Sequence, residues 1–220
     1  MTCCREMTPT DQVLIEFSRV ERVGLRLADV EIGTSRSDGI RTRAMNIWIR
    51  ILITLTRSLF RPRIEATAVL RTEMIVGPTE ADIKHVGNAR YLLFMEVGRL
   101  ELMVRAGVLR QARRRKWTPL VAAQTIRYQS PLRRFQRFTL TTHLAAWDDK
   151  WFYIQHKIER KGRLMAFGLV RGCFRGKDGV VPPSVAFGAL GMDGTHSPVP
   201  GYVGPWAAAE SDLLEAVEGL

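Results

Sequence analysis

Four successive runs have a strand-like pattern of apolar and polar positions, LVAAQTIRYQ (120–129), FTLTTHLAAW (138–147), WFYIQHKIER (151–160) and LMAFGLVRGCF (164–174). Short apolar, β-branched and aromatic runs bounded by turn signals predict strands. WDDKW and RKGR, the latter with a glycine, supply short turns between the last three, so the pattern predicts antiparallel hairpins. A further strand is expected over AVLRTEMIV (68–76). Between it and the four strands, NARYLLFMEVGRLELMVRAGVL (88–109) carries a helical period and ends near Gly107. Its apolar positions cover more than one stripe, as in a helix wrapped by a sheet. A strand, a long helix and four strands in series predict an α+β domain with one antiparallel sheet of five strands packed on one helix.

The flanking segments read differently. Residues 1–44 hold no stable period and are expected to form a loose arm. MNIWIRILITLTRSLFRPR (45–63) predicts an amphipathic helix, with Arg50, Thr54, Arg57 and Arg61 along one face and Ile47, Trp48, Ile51, Leu52, Leu55 and Leu59 over the rest. It is too short and too interrupted for a membrane span, which needs about 20 apolar residues. It either packs on the domain, the preferred reading, or makes peripheral contact with a membrane through residues 45–60. Pro62 ends it. Beyond the domain, residues 184–220 are expected to form a Gly/Pro-rich tail with a short closing helix. No stretch presents the ordered regions of a signal peptide.

Charge adds a preference among partners. Lys and Arg number 33 against 22 Asp and Glu, a formal net charge of +11. Such a balance favours anionic partners. No acid occurs from Leu102 to Trp147, where Arg105, Arg110, Arg113–Lys116, Arg127, Arg133, Arg134 and Arg137 accumulate. Aromatic residues do not interleave with this tract and no nucleic-acid-binding motif is present, so nucleic acid is not the expected partner. Three cysteines with no framework spacing fit a reducing, cytoplasmic compartment.

The chemistry concentrates in EADIKHVGNARY (80–91) at the entry to the long helix. From the residues alone two readings stand. Asp82, His85 and Asn88 are favoured loop and N-cap residues. They are also an acid, a base and an amide beside a helix N-terminus, whose free N–H groups and positive dipole end suit a developing oxyanion.

Here the chain resembles the hotdog-fold acyl-CoA thioesterases of the 4-hydroxybenzoyl-CoA thioesterase type, from about Met45 to Pro183. The carriers are PTEADIKHVGNARYLLFMEVGRLELM, VAAQTIRYQSPLRRFQRF and WDDKWFYIQHKIERKGRLMAFGLVRGCFRGKDG. In that family an acid-x-acid pair precedes His, an apolar residue, Asn-Asn, a small residue, any residue and Tyr. The resemblance implies a hotdog domain over 64–183, with Asp82 as catalytic base or nucleophile and Glu80 in the place of the first acid. His85 and Asn88 would complete the catalytic set. Gly87, Ala89 and Tyr91 would border the substrate, and Arg133, Arg134 and Arg137 would meet coenzyme A phosphates. Glu96 is a second carboxylate on the helix, most simply paired with Arg99. The pattern departs from the family twice: Asp82 to His85 is one residue short, and Gly87 stands where the first Asn is expected. The implied substrate is a fatty acyl-CoA, with coenzyme A as a substrate moiety and no metal or dissociable cofactor. The implied assembly is a homodimer or dimer of dimers. The alternative implied function is a hotdog protein that binds acyl-CoA or a protein partner without turnover.

Overall fold

The computed structural model describes residues 38–78, 80–81, 85–192 and 199–218, with the first helix's side chains described from Ile49 onward. Most of the expected arm therefore lies outside the described residues. The first helix, α1 (Asp38–Phe60), begins ahead of the expected Met45. Strand β1 (Leu70–Ile75) leads through a loop to the central helix α2 (Asn88–Arg105). The expected helix to 109 divides at Gly107. A φ of +78° there reorients the chain into a second helix, α3 (Val108–Arg115). Glycine takes that backbone conformation without the steric cost that other residues incur.

The four expected strands follow as β2 (Thr118–Tyr128), β3 (Arg137–Trp147), β4 (Phe152–Arg160) and β5 (Arg163–Gly176). The sheet runs β1-β3-β4-β5-β2 with every pairing antiparallel. A sixth, short strand not expected from the sequence, β6 (Gly179–Val181), pairs with the end of β5 beyond the start of β4. Both anticipated turns are present. Asp148 accepts the Lys150 and Trp151 amides at 2.9 and 2.7 Å, and Lys161 and Gly162 both take positive φ between β4 and β5.

Helix α2 lies in the concave side of this sheet, the hotdog arrangement. Tyr91, Phe94, Met95 and Val97 pack with Met74, Phe138, Leu140 and Ile158. The helix sits so close to β3 that a Cβ on Gly98 would stand 2.6 Å from Leu140 Cδ2 and Thr142 Oγ1. Helix α4 (Pro183–Gly188) brings Phe187 into the same concave side, against Trp147, Phe152 and Phe174. The convex side is covered in part by α5 (Val203–Glu218), whose Val203 and Trp206 pack with Tyr153 and Leu169. Arg171 fastens it, stacked on Trp151 and Trp206 and paired with Glu210 at 2.6 Å. The segment read as a tail thus carries two helices built onto the domain.

Helix α1 is fixed beside β1 and α2 by ion pairs, with Ile51 packed against the core. Arg50 donates to Glu80 at 2.8 Å and to the Ile75 carbonyl at 2.9 Å, and stacks on Phe94. Arg61 donates to Glu101 at 2.7 Å. Glu101, buried on α2, also accepts the Thr72 hydroxyl at 2.8 Å and pairs with Arg105.

Candidate active site

The loop between β1 and α2 is held on both sides of the predicted acid. Ala81 and Val86 form an isolated antiparallel bridge, and the Val86 amide donates to the Leu132 carbonyl at 2.9 Å. Asp82 itself lies outside the described residues, within the four-residue connection that this bridge closes. Glu80, just ahead, is buried. Its Oε2 accepts the Gly77 amide at 2.6 Å as well as Arg50, so its role is structural and it is not solvated.

After the bridge, Gly87 is the N-cap of α2, with φ −68° and ψ 152°, and no side chain caps the helix. The first turn also carries no acid. Its leading amides, which have no intrahelical acceptor, are therefore not occupied by a capping side chain. Asn88 is the first helical residue rather than the cap. Asn88, Ala89 and His85 are exposed, and Gly87 is half-buried.

Tyr91 ties this turn to the loop between β2 and β3. Its hydroxyl accepts the Leu132 amide at 2.8 Å and reaches the Ser130 carbonyl at 3.5 Å. Burial raises its pKa, partly offset by the Leu132 hydrogen bond. Tyr91 is thus a buried brace with a satisfied hydroxyl, and does not face solvent as a pocket wall would. Tyr128 packs edge-on against it and donates to the Asn88 carbonyl at 3.3 Å.

Of the three predicted arginines, Arg134 stands nearest the loop, donating to the Ala81 carbonyl at 3.4 Å. Arg134 and Arg137 line an open groove of about 490 Å³ together with Arg160, Lys161, Glu73 and Glu159. Arg133 is exposed and stands outside that groove's lining. Arg160 and Lys161 were not singled out from the sequence. They come opposite through the β3–β4 register, which pairs Thr139 with Glu159 and so brings Arg137 opposite Lys161, one residue off the register set at the WDDKW turn because of a bulge between Leu144 and Ala146.

The remaining candidates fall into structural roles. Glu96 is paired with Arg99. Arg99 is buried and its pKa is lowered by burial to about 10. His156 lies fully buried on β4, with Nδ1 3.0 Å from the Thr142 hydroxyl. Burial, then the Arg99 and His143 charges, hold its pKa well below the usual histidine value. Cys173 is a buried small hydrophobe whose thiol pKa is raised by burial. Arg113–Lys116 are exposed at the end of α3.

The thioesterase-like superfamily model matches residues 76–186, which include the loop, α2 and strands β2 to β6. Protein THEM6 of Danio rerio is 38% identical over 77 residues, covering 35% of this chain and 38% of that protein. Protein THEM6 of Drosophila melanogaster is 26% identical over 116 residues, 51% of this chain and 60% of that one. The chain thus spans less than two thirds of the length of these curated relatives. Among solved structures, the probable thioesterase YbaW of Escherichia coli superposes with a TM-score of 0.52 at 21% identity, over 55% of this chain and 95% of that one. SAV2348 of Staphylococcus aureus, solved in complex with CoA, gives 0.51 at 15% identity, over 64% and 96%. At these identities the structures establish the shared fold.

Proposed function

The chain belongs to the thioesterase-like superfamily, and from that premise we propose that it hydrolyses fatty acyl-CoA to the free acid and coenzyme A. The observation that carries this reading is the uncapped N-terminus of α2, set immediately after a pinned loop that contains Asp82. In the reaction, a water attacks the thioester carbonyl and gives its proton to the Asp82 carboxylate. Negative charge moves onto the carbonyl oxygen, where amides from Gly87 to Ala89 stabilise it, aided by the helix dipole. The tetrahedral intermediate then expels the coenzyme A sulfur, which takes the proton from Asp82. Direct attack by the carboxylate, followed by hydrolysis of the anhydride, gives the same products. Either role requires the carboxylate in its charged form.

Tyr91 positions this turn through Leu132 rather than touching substrate. Arg134 and Arg137, joined by Arg160 and Lys161, would receive coenzyme A phosphates in the groove next to the loop, with Arg133 at its margin. An apolar pocket among Leu102, Met103, Leu144, Phe152 and Phe187 holds only about 20 Å³, too little for a fatty chain. As the resemblance implies, we place the acyl group between two copies of the chain. The outer edge of β2 suits that pairing, since Gln124, Thr125, Arg127 and Tyr128 are exposed, whereas Arg50 binds the β1 edge at Ile75. The test is release of free thiol from a panel of acyl-CoAs of graded chain length by the purified full chain. Thiol release is expected, with KM rising severalfold in Arg134→Ala/Arg137→Ala. Tight acyl-CoA binding without thiol release would select the alternative, a binding protein, which the short connection between Ala81 and Val86 favours.

A further inference from the structure

Helix α1 is amphipathic in the sense opposite to that of an ordinary surface helix. Its inward side carries Arg50, Thr54 and Ser58 with Ile51 and Leu55, and its firmest attachments are the Arg50 and Arg61 ion pairs. Its outward side carries Leu52, Leu59 and Phe60, with Leu52 at 65% and Phe60 at 86% exposed, while the half-exposed Ile49 and Ile53 border the cleft between α1 and β1. Spacings of seven and one residues set the outward three on one stripe along the helix. A solvated helix would present the reverse arrangement.

We propose that this stripe seats α1 in the plane of an anionic membrane surface, independently of any thioester chemistry. Two observations select that occupant. No acid occurs from Ile49 to Arg63, whereas Arg57 and Arg63 are exposed there, and the whole chain carries a net charge of +11. Arginine stems lie along apolar surface while their guanidinium groups reach toward headgroup phosphates. Among the described residues no helix is long and apolar enough to cross a membrane, so α1 lies along the surface.

The experiment is co-sedimentation of the full chain with phosphatidylcholine vesicles and with mixed phosphatidylcholine–phosphatidylglycerol vesicles. The wild type is expected to pellet with the mixed vesicles, more weakly at high salt and least with phosphatidylcholine alone. Leu52→Asp/Phe60→Asp should lower the partition by at least about tenfold, the scale for two large side chains that no longer leave water. Its thermal stability should be unchanged, because both residues are exposed. Arg57→Glu should remove most of the preference for the anionic vesicles. The proposal is overturned if the wild type binds neither vesicle or if the double variant binds as well as the wild type. It is equally overturned if the double variant changes the oligomeric state in solution, which would make the stripe a protein interface.

Discussion

Glu101 joins three elements through one buried carboxylate, and its replacement tests how α1 and β1 are held to the central helix. In Glu101→Ala the Thr72 hydroxyl and Arg61 lose their acceptor, and Arg105 loses a partner at 3.5 Å. A hydrogen bond to a charged group contributes about 1.5–3 kcal/mol. The Arg61 side chain is 45% exposed, so solvent screens its share toward the value of a surface pair, about 0–1 kcal/mol. The Arg105 contact is too long to add a full hydrogen bond. The sum is about 2–3 kcal/mol, and for a unit spanning Thr42 to Leu220 that is a fall in Tm of about 5–10 °C. Glu101→Gln should cost about half as much. Its oxygen can keep Arg61 while its amide donates to the Thr72 hydroxyl, which can turn to accept. The assay is thermal and urea unfolding of the three proteins side by side. If Ala and Gln both melt within about a degree of the wild type, Glu101 does not fasten these elements and the reasoning fails.

Three further outcomes follow from the same geometry. His156 has a folded pKa well below its ordinary value, so the unfolded chain takes up a proton first as pH falls. Stability from this group is intact above about pH 6.5 and is lost below it at up to about 1.4 kcal/mol per pH unit; a folded His156→Gln should show a shallower decline of Tm from pH 6.5 to 5, and an equal slope would contradict the assignment. Tyr91→Phe leaves the Leu132 amide without its acceptor, and should cost about 1–3 kcal/mol and lower kcat more than it raises KM, as read by urea unfolding and thiol release. Gly98→Ala gains about 1 kcal/mol of helix propensity but drives a methyl into the fully buried Leu140 and Thr142, at about 1–3 kcal/mol. A net loss near 1 kcal/mol is expected, and a stabilised variant would show that α2 can lift from β3 freely.

The strands were legible because short apolar, β-branched and aromatic runs are bounded by turn residues, and β2 to β5 fall within about two residues of their expected ends. Gly107 was read as a helix end, but only its positive φ shows that the chain turns into a second helix. The facing of α1 was not legible. Arg50, Thr54 and Arg61 were placed on one face by spacing, yet the acids that draw that face inward, Glu80 and Glu101, lie 30 and 40 residues onward. Strand β6 escaped notice because three residues cannot display a period. At the site, the motif located the loop and the helix start, while Tyr91's bracing of the Leu132 amide depends on a contact across 41 residues. The groove cations Arg160 and Lys161 required the β3–β4 register, which a bulge between Leu144 and Ala146 shifts by one residue from that set at the turn.

The central claim rests on Asp82, and the most direct measurement compares wild type with Asp82→Asn for acyl-CoA binding and for thiol release at saturating substrate. The account predicts that the variant folds and binds acyl-CoA with affinity near that of the wild type, while kcat falls by at least about 100-fold, the range associated with loss of a positioned base. Thiol release at the wild-type rate from Asp82→Asn would contradict it, and would move the chemistry away from the loop that Ala81 and Val86 enclose.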